Sequence, residues 1–139
     1  MPMSIQDQQR LRGVHPDLIR ILADVFDEMD AEGTPMFVVQ GVRTEAEQVK
    51  LYARGRIEPG EIVTNCDGIK HKSPHQVRED GFGYAVDCAF VGSQPFDSRH
   101  PWEMFGHVLE SKGLVWGGRF SHPVDLDHAE LKPKDRTPV

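Results

Sequence analysis

The sequence predicts an α+β fold built from a small antiparallel sheet with flanking helices. Three observations carry that expectation. Residues 16–31 repeat apolar side chains at helical spacing. Residues 36–40 and 83–91 are short runs rich in strand formers. Helices and short strands then follow one another without the regular βαβ alternation that builds a parallel sheet.

The elements follow in chain order. Leu18, Ile19, Leu22, Val25, Phe26 and Met29 form the apolar stripe of the first helix, with Pro16 in its first turn and Gly33 just beyond its end. Met36-Phe37-Val38-Val39-Gln40 reads as a buried strand. Thr44, with Glu47 three residues on, makes a capping box for a helix running to about Ala53 and closed by Gly55. Residues 56–82 hold turn signals at Pro59-Gly60, Asn65, Asp67-Gly68, Pro74 and Asp80-Gly81, and read as one long loop. A loop of that length inside a compact domain is usually functional or disordered. Residues 83–91 return to strand. A third helix is expected over 101–112, starting at Pro101 and ending before Gly113. Short strands are expected at 114–116 and 127–131 around the Gly117-Gly118 turn.

With 139 residues the chain reads as a single domain, 1–139, with its core over about 11–131 and a short polar C-terminal tail. A net charge of −6 argues against nucleic acid or an anionic membrane as the main partner. No apolar run approaches the roughly 20 residues of a membrane span. Residues 1–7 carry no basic segment followed by an apolar one, so the expectation is a cytoplasmic protein. Cys66 and Cys88 have no CxxC spacing, which excludes a four-cysteine zinc site and favours two reduced thiols.

Three segments carry chemistry. In Gln40-Gly41-Val42-Arg43-Thr44 an arginine stands between a strand and a helix start, where its planar fork suits carboxylate recognition. In Ser73-Pro74-His75 and Gly83-Tyr84-Ala85-Val86-Asp87 a histidine ends the loop and an aspartate lies in mid-strand. Strand alternation puts Asp87 on one face with Ala85 and Ala89, and Val86 and Cys88 on the other. A carboxylate there is costly to bury unless paired or metal-bound. In Asp125-Leu126-Asp127-His128 a histidine follows a carboxylate by three residues, a spacing that can place Asp125 over a metal's open position. Alternation would turn Asp127 away from His128. It would bring Asp125 to the metal only if residues 124–127 turn, which Pro123 favours. Together the segments supply a catalytic zinc site: three His or Asp ligands, an open fourth position and a nearby carboxylate base. There is no GxSxG, P-loop or HExxH to compete with it.

In this order the segments resemble the M15 metallopeptidases, whose pattern is Ser-x-His, Gly-x-Ala-x-Asp and then Glu or Asp-x-x-His. Gly41-Val42-Arg43-Thr44, with Gln48, Leu51 and Tyr52 behind it, resembles the family's substrate-binding arginine segment, and Val14-His15-Pro16-Asp17-Leu18 its opening. The resemblance spans roughly residues 11–131. It implies a hedgehog/DD-peptidase-type fold, zinc (Zn2+) held by His75, Asp87 and His128, Asp125 as the base, and Arg43 and Ser73 contacting substrate. In one respect the chain departs from the family's compact motif: Asp87 stands twelve residues after His75, so the intervening loop is longer.

The function this resemblance implies is hydrolysis of a peptidoglycan stem-peptide bond, most naturally L-alanyl-D-glutamate, by a monomeric endolysin-like enzyme. That enzyme would reach the wall after release from the cytoplasm, with no nucleic-acid or membrane partner. D-Ala-D-Ala carboxypeptidase or dipeptidase activity is the same-fold alternative. A zinc-stabilised binding or virion protein is the alternative of a different class.

Overall fold

The computed structural model describes residues 3–133. Most of the expected polar tail, residues 134–139, lies outside the described residues. The elements run α1 (Ile5–Arg10), α2 (Pro16–Ala31), β1 (Met36–Gln40), α3 (Glu45–Ala53), β2 (Ala85–Phe90), α4 (Trp102–Ser111), β3 (Val115–Trp116), a 3-10 turn (Gly117–Arg119) and β4 (His128–Glu130). The strands form one antiparallel sheet in the order β1-β2-β4-β3. This is the α+β architecture expected from the sequence.

Sequence patterning explains the layers. Leu18, Leu22, Val25 and Met29 on α2 and Phe105 and Leu109 on α4 pack with Val86, Cys88 and Phe90 of β2 into one core. The expected alternation therefore holds in β2, and Asp87 is left on the opposite face. The capping box of α3 is present: Thr44 Oγ1 accepts from Glu47 N and Glu47 accepts from Thr44 N. Strand β2 is shorter than the expected 83–91. Gly83 pairs with Val14 in an isolated bridge, and Val91 N donates to the Pro35 carbonyl beyond the ladder. Likewise α4 is a residue shorter at each end than 101–112.

Helix α1 has no apolar stripe, which is why sequence patterning assigns residues 5–10 no element. It is held through its polar side chains. Asp7 Oδ1 accepts from Val38 N at 2.9 Å, and Arg10 Nη1 donates to the Val38 carbonyl at 2.8 Å. These bonds satisfy backbone groups of the edge strand β1 at the point where its register shifts. Gly41 permits the approach, since a Cβ there would stand 2.3 Å from the Arg10 carbonyl oxygen.

The long segment between α3 and β2 has no regular element, as expected, yet it is anchored. Asp67 Oδ1 accepts from the backbone N–H groups of Ile69, Lys70 and His71, each at 2.9 Å. Gln76 Nε2 donates to the Gly68 carbonyl, and its Oε1 accepts from Ser73 N. Among the described residues no helix is long and apolar enough to cross a membrane.

Candidate active site

The β2–β4 register sets Asp87 directly opposite His128, and the β1–β2 register sets it opposite Gln40. His75 reaches the same place from the anchored loop. His75 Nε2 lies 3.2 Å and His128 Nδ1 3.6 Å from Asp87 Oδ1. Potential ligand atoms of all three residues lie within 4.8 Å of one another. The structure therefore brings together the three ligands inferred from the sequence.

Each imidazole has its remote nitrogen occupied. His75 Nδ1 is 2.8 Å from the Gly41 carbonyl oxygen, so that nitrogen carries the proton and Nε2 presents its lone pair. His128 is oriented the other way: Nε2 is 2.9 Å from Glu130 Oε1, and Nδ1 faces Asp87 and Asp125. Asp87 Oδ1 is buried and accepts no well-directed hydrogen bond. A buried carboxylate oxygen without a partner is costly. This one faces His75 Nε2 and His128 Nδ1. Donors 2.0–2.2 Å from a tetrahedral zinc stand about 3.4 Å apart, so the observed spacing fits that ion.

Without an ion, the charges of the cluster act on one another. Burial opposes the charge on Asp87, but His128 and His75 outweigh it and hold the carboxyl below the usual carboxylate range. Burial likewise opposes charge on His128, while Asp87, Glu130 and Asp125 push it up to about 9.

Asp125 is placed by a turn. His128 N donates to the Asp125 carbonyl at 3.2 Å, and Asp125 N donates to the Gly117 carbonyl at 3.0 Å. Its Oδ2 lies 3.8 Å from His128 Nδ1. Gly117 is needed for this approach: a Cβ there would meet the Asp125 carbonyl oxygen at 2.2 Å and His128 Cβ at 2.7 Å. The indole of Trp116 fixes the same segment by donating to the Leu126 carbonyl. One expectation is corrected here. Asp127 does not turn away from the cluster, because residues 125–128 are a turn and strand alternation begins only at His128. Carboxylate oxygens of Asp87, Asp125 and Asp127 lie within 4.8 Å of one another. Burial first, then the hydrogen bond with Asp125 and the charge of Asp87, raises the Asp127 carboxyl well above its ordinary range.

Arg43 is held in a fork. Gln48 Oε1 accepts from Nη1 at 2.8 Å, and Gln40 Oε1 accepts from Nε at 3.2 Å and Nη2 at 2.9 Å. Nη2 also faces Asp87 Oδ2 at 3.5 Å. Ser73 borders the cleft, where its Oγ accepts from His75 N at 3.1 Å and so shapes the approach of the histidine. The cleft has a volume of about 700 Å³ and is walled by the ligand cluster, Arg43, residues 63–66 and residues 119–123. Asn65 Nδ2 donates to the His122 carbonyl at 2.5 Å and joins those two walls. Phe120 sets its ring 5.4 Å from that of His128.

The sequence reading gave no role to Glu130, Gln40 or Asp127. Glu130 had a usable signal: two residues after a ligand in a strand, its side chain shares the ligand's face. The other two depend on register and on a turn.

No family model matches the chain. The peptidoglycan L-alanyl-D-glutamate endopeptidase CwlK of Bacillus subtilis (strain 168) is 24% identical over 135 residues, which covers 94% of this chain and 80% of that protein. The Serratia marcescens L-Ala D-Glu endopeptidase ChiX superposes with a TM-score of 0.60 at 21% identity, over 98% of this chain and 93% of that one. The two chains share this α+β fold. A further likeness is to the vancomycin resistance D,D-pentapeptidase VanY from a VanB-type cassette, solved with Zn(II). There the TM-score is 0.57 at 17% identity, over 84% of this chain and 71% of that one.

Proposed function

We propose that this chain is a zinc-dependent peptidoglycan peptidase cleaving the L-alanyl-D-glutamate bond of the stem peptide. The observation that carries the reading is Asp87 Oδ1, buried without a hydrogen bond and facing His75 Nε2 and His128 Nδ1. His75, Asp87 and His128 would hold the metal. Zinc, when bound, supplies a water that ionises near neutrality and a Lewis acid for the scissile carbonyl.

The chain's own groups do the rest. Asp125 is only half-buried and accepts a proton at its carboxylate, then returns it to the leaving amine. Arg43, fixed by Gln40 and Gln48, sets its positive charge at the cleft wall beside the reacting carbonyl, where negative charge develops. Ser73, which lines the cleft, would contact the substrate. Two free cysteines, one of them buried, support folding in a reducing cytoplasm before release to the wall.

Coverage favours the endopeptidase reading over D-Ala-D-Ala hydrolysis. The likenesses to CwlK and ChiX run over nearly all of this chain, whereas those to VanY leave more of both chains unmatched. Asp125 and Arg43 beside the ligands favour an enzyme over a zinc-stabilised binding protein, which needs neither. Mass spectrometry of digested peptidoglycan tests the proposal. Stem peptides beginning at D-glutamate, with new L-alanine carboxyl ends, are expected. Loss of a single terminal alanine would establish the carboxypeptidase alternative instead.

A further inference from the structure

We infer that Glu130 is a positioning residue for the metal, setting the tautomer and donor strength of His128. The inference rests on the zinc reading above and deepens it. Glu130 follows His128 by two residues in β4 and so shares its face. Directly across the ladder it meets Ala85, whose small side chain leaves room for a carboxylate. The Glu130 side chain is 20% exposed at the cleft edge, and its Oε1 is 2.9 Å from His128 Nε2.

The consequence is specific to that nitrogen. With Nε2–H donated to a carboxylate, the neutral ring has its lone pair on Nδ1, which is the atom facing Asp87 and Asp125. Without an acceptor at Nε2, the proton is free to sit on Nδ1 and block that lone pair. A carboxylate acceptor also makes the imidazole a stronger donor than a neutral carbonyl does. His75 has only the neutral acceptor, the Gly41 carbonyl, on its far nitrogen. The two imidazoles are thus unequal, and the stronger donor is the one that lies beside Asp125.

Zinc affinity by chelator competition, together with the visible spectrum of the cobalt-substituted protein, decides the point on wild type, Glu130→Gln and Glu130→Ala. Loss of an outer partner of this kind lowers metal affinity by about 10- to 100-fold, and Glu130→Ala is expected in that range with a shifted cobalt band. Glu130→Gln keeps an acceptor oxygen and should recover most of the loss and the wild-type band. A merely structural glutamate would lower the melting temperature of the metal-free protein in both variants and leave the affinities alike. Affinity of Glu130→Ala within about twofold of wild type overturns the inference while leaving the zinc reading intact. If Glu130→Ala fails to fold, Glu130→Met, of similar length and without an acceptor for Nε2–H, takes its place: a loss of about 10- to 100-fold supports the inference, and affinity within about twofold of wild type overturns it. Absence of zinc binding by wild type overturns both readings.

Discussion

Asp87 and His128 face one another across the β2–β4 ladder, and that single register pair places a carboxylate oxygen 3.6 Å from an imidazole nitrogen. A slip by one residue would send either side chain into the apolar layer beneath the sheet. The candidate metal site is thus held by backbone pairing of two buried strands, with only His75 arriving from a loop. Cys88 N donating to the Asp127 carbonyl locks the same register one residue further along.

His75→Ala and His128→Ala should each lose tightly bound zinc, since two remaining ligands do not make a closed site. Metal analysis of protein purified without added metal checks this. Full zinc content in both variants would contradict the assignment.

Asp125→Ala should keep zinc and fold but lose nearly all activity, because the attacking water is left without its proton acceptor. Asp127→Ala should retain more activity than Asp125→Ala, although Asp127 stands closer to the cluster than strand alternation implied. Zinc content and peptidoglycan hydrolysis, measured on both, separate base from ligand. An active Asp125→Ala enzyme would move the base elsewhere.

Arg43→Lys should fold and bind zinc yet lose turnover on the order of 100-fold, as for a lost charge-stabilising donor. A lysine ammonium cannot bridge Gln40, Gln48 and Asp87 together. Steady-state kinetics on soluble muropeptide substrates would show the loss mainly in kcat. A variant that unfolds instead would make Arg43 structural.

Gly117→Ala should disturb both the base and its neighbour His128, whose Cβ would stand 2.7 Å from the added methyl. The added methyl would stand 2.2 Å from the Asp125 carbonyl oxygen, and backbone cannot yield as a flexible side chain does. Overpacking of this kind costs about 1–3 kcal/mol. A lowered melting temperature and reduced activity are expected. Unchanged values of both would show that the Asp125 turn relaxes freely.

The anchored loop should loosen in acid. Backbone N–H groups of His71, Ile69 and Lys70 hold the exposed Asp67 carboxyl below its ordinary value. A depressed folded-state value means that its contribution is present above the unfolded pKa of about 3.9 and is lost as pH falls through the lower folded value. Limited proteolysis of residues 67–76 should therefore accelerate below about pH 4 in wild type. Asp67→Asn, which keeps the acceptor without the charge, should lack that dependence at this position. Identical acid profiles for the two proteins would remove Asp67 as the cause.

What the sequence determined by itself was what is local. The stripe from Leu18 to Met29, the Thr44–Glu47 box and the alternation Val86–Asp87–Cys88 each depend on spacing along one element, and the structure has each of them. The ligand types were legible for the same reason, because each lies in a short segment of recognisable chemistry. Tertiary structure alone decided what depends on register, turns and close approach. Nothing local in residues 5–10 shows that Asp7 and Arg10 will hold the edge of β1. Strand alternation misplaced Asp127 because the chain turns before β4 begins. The engagement of Arg43 by Gln40 and Gln48 and the tether of His75 to the Gly41 carbonyl join residues from separate elements. Pairing across a sheet is set by which apolar faces can be buried together, and that is a property of the whole chain rather than of any segment.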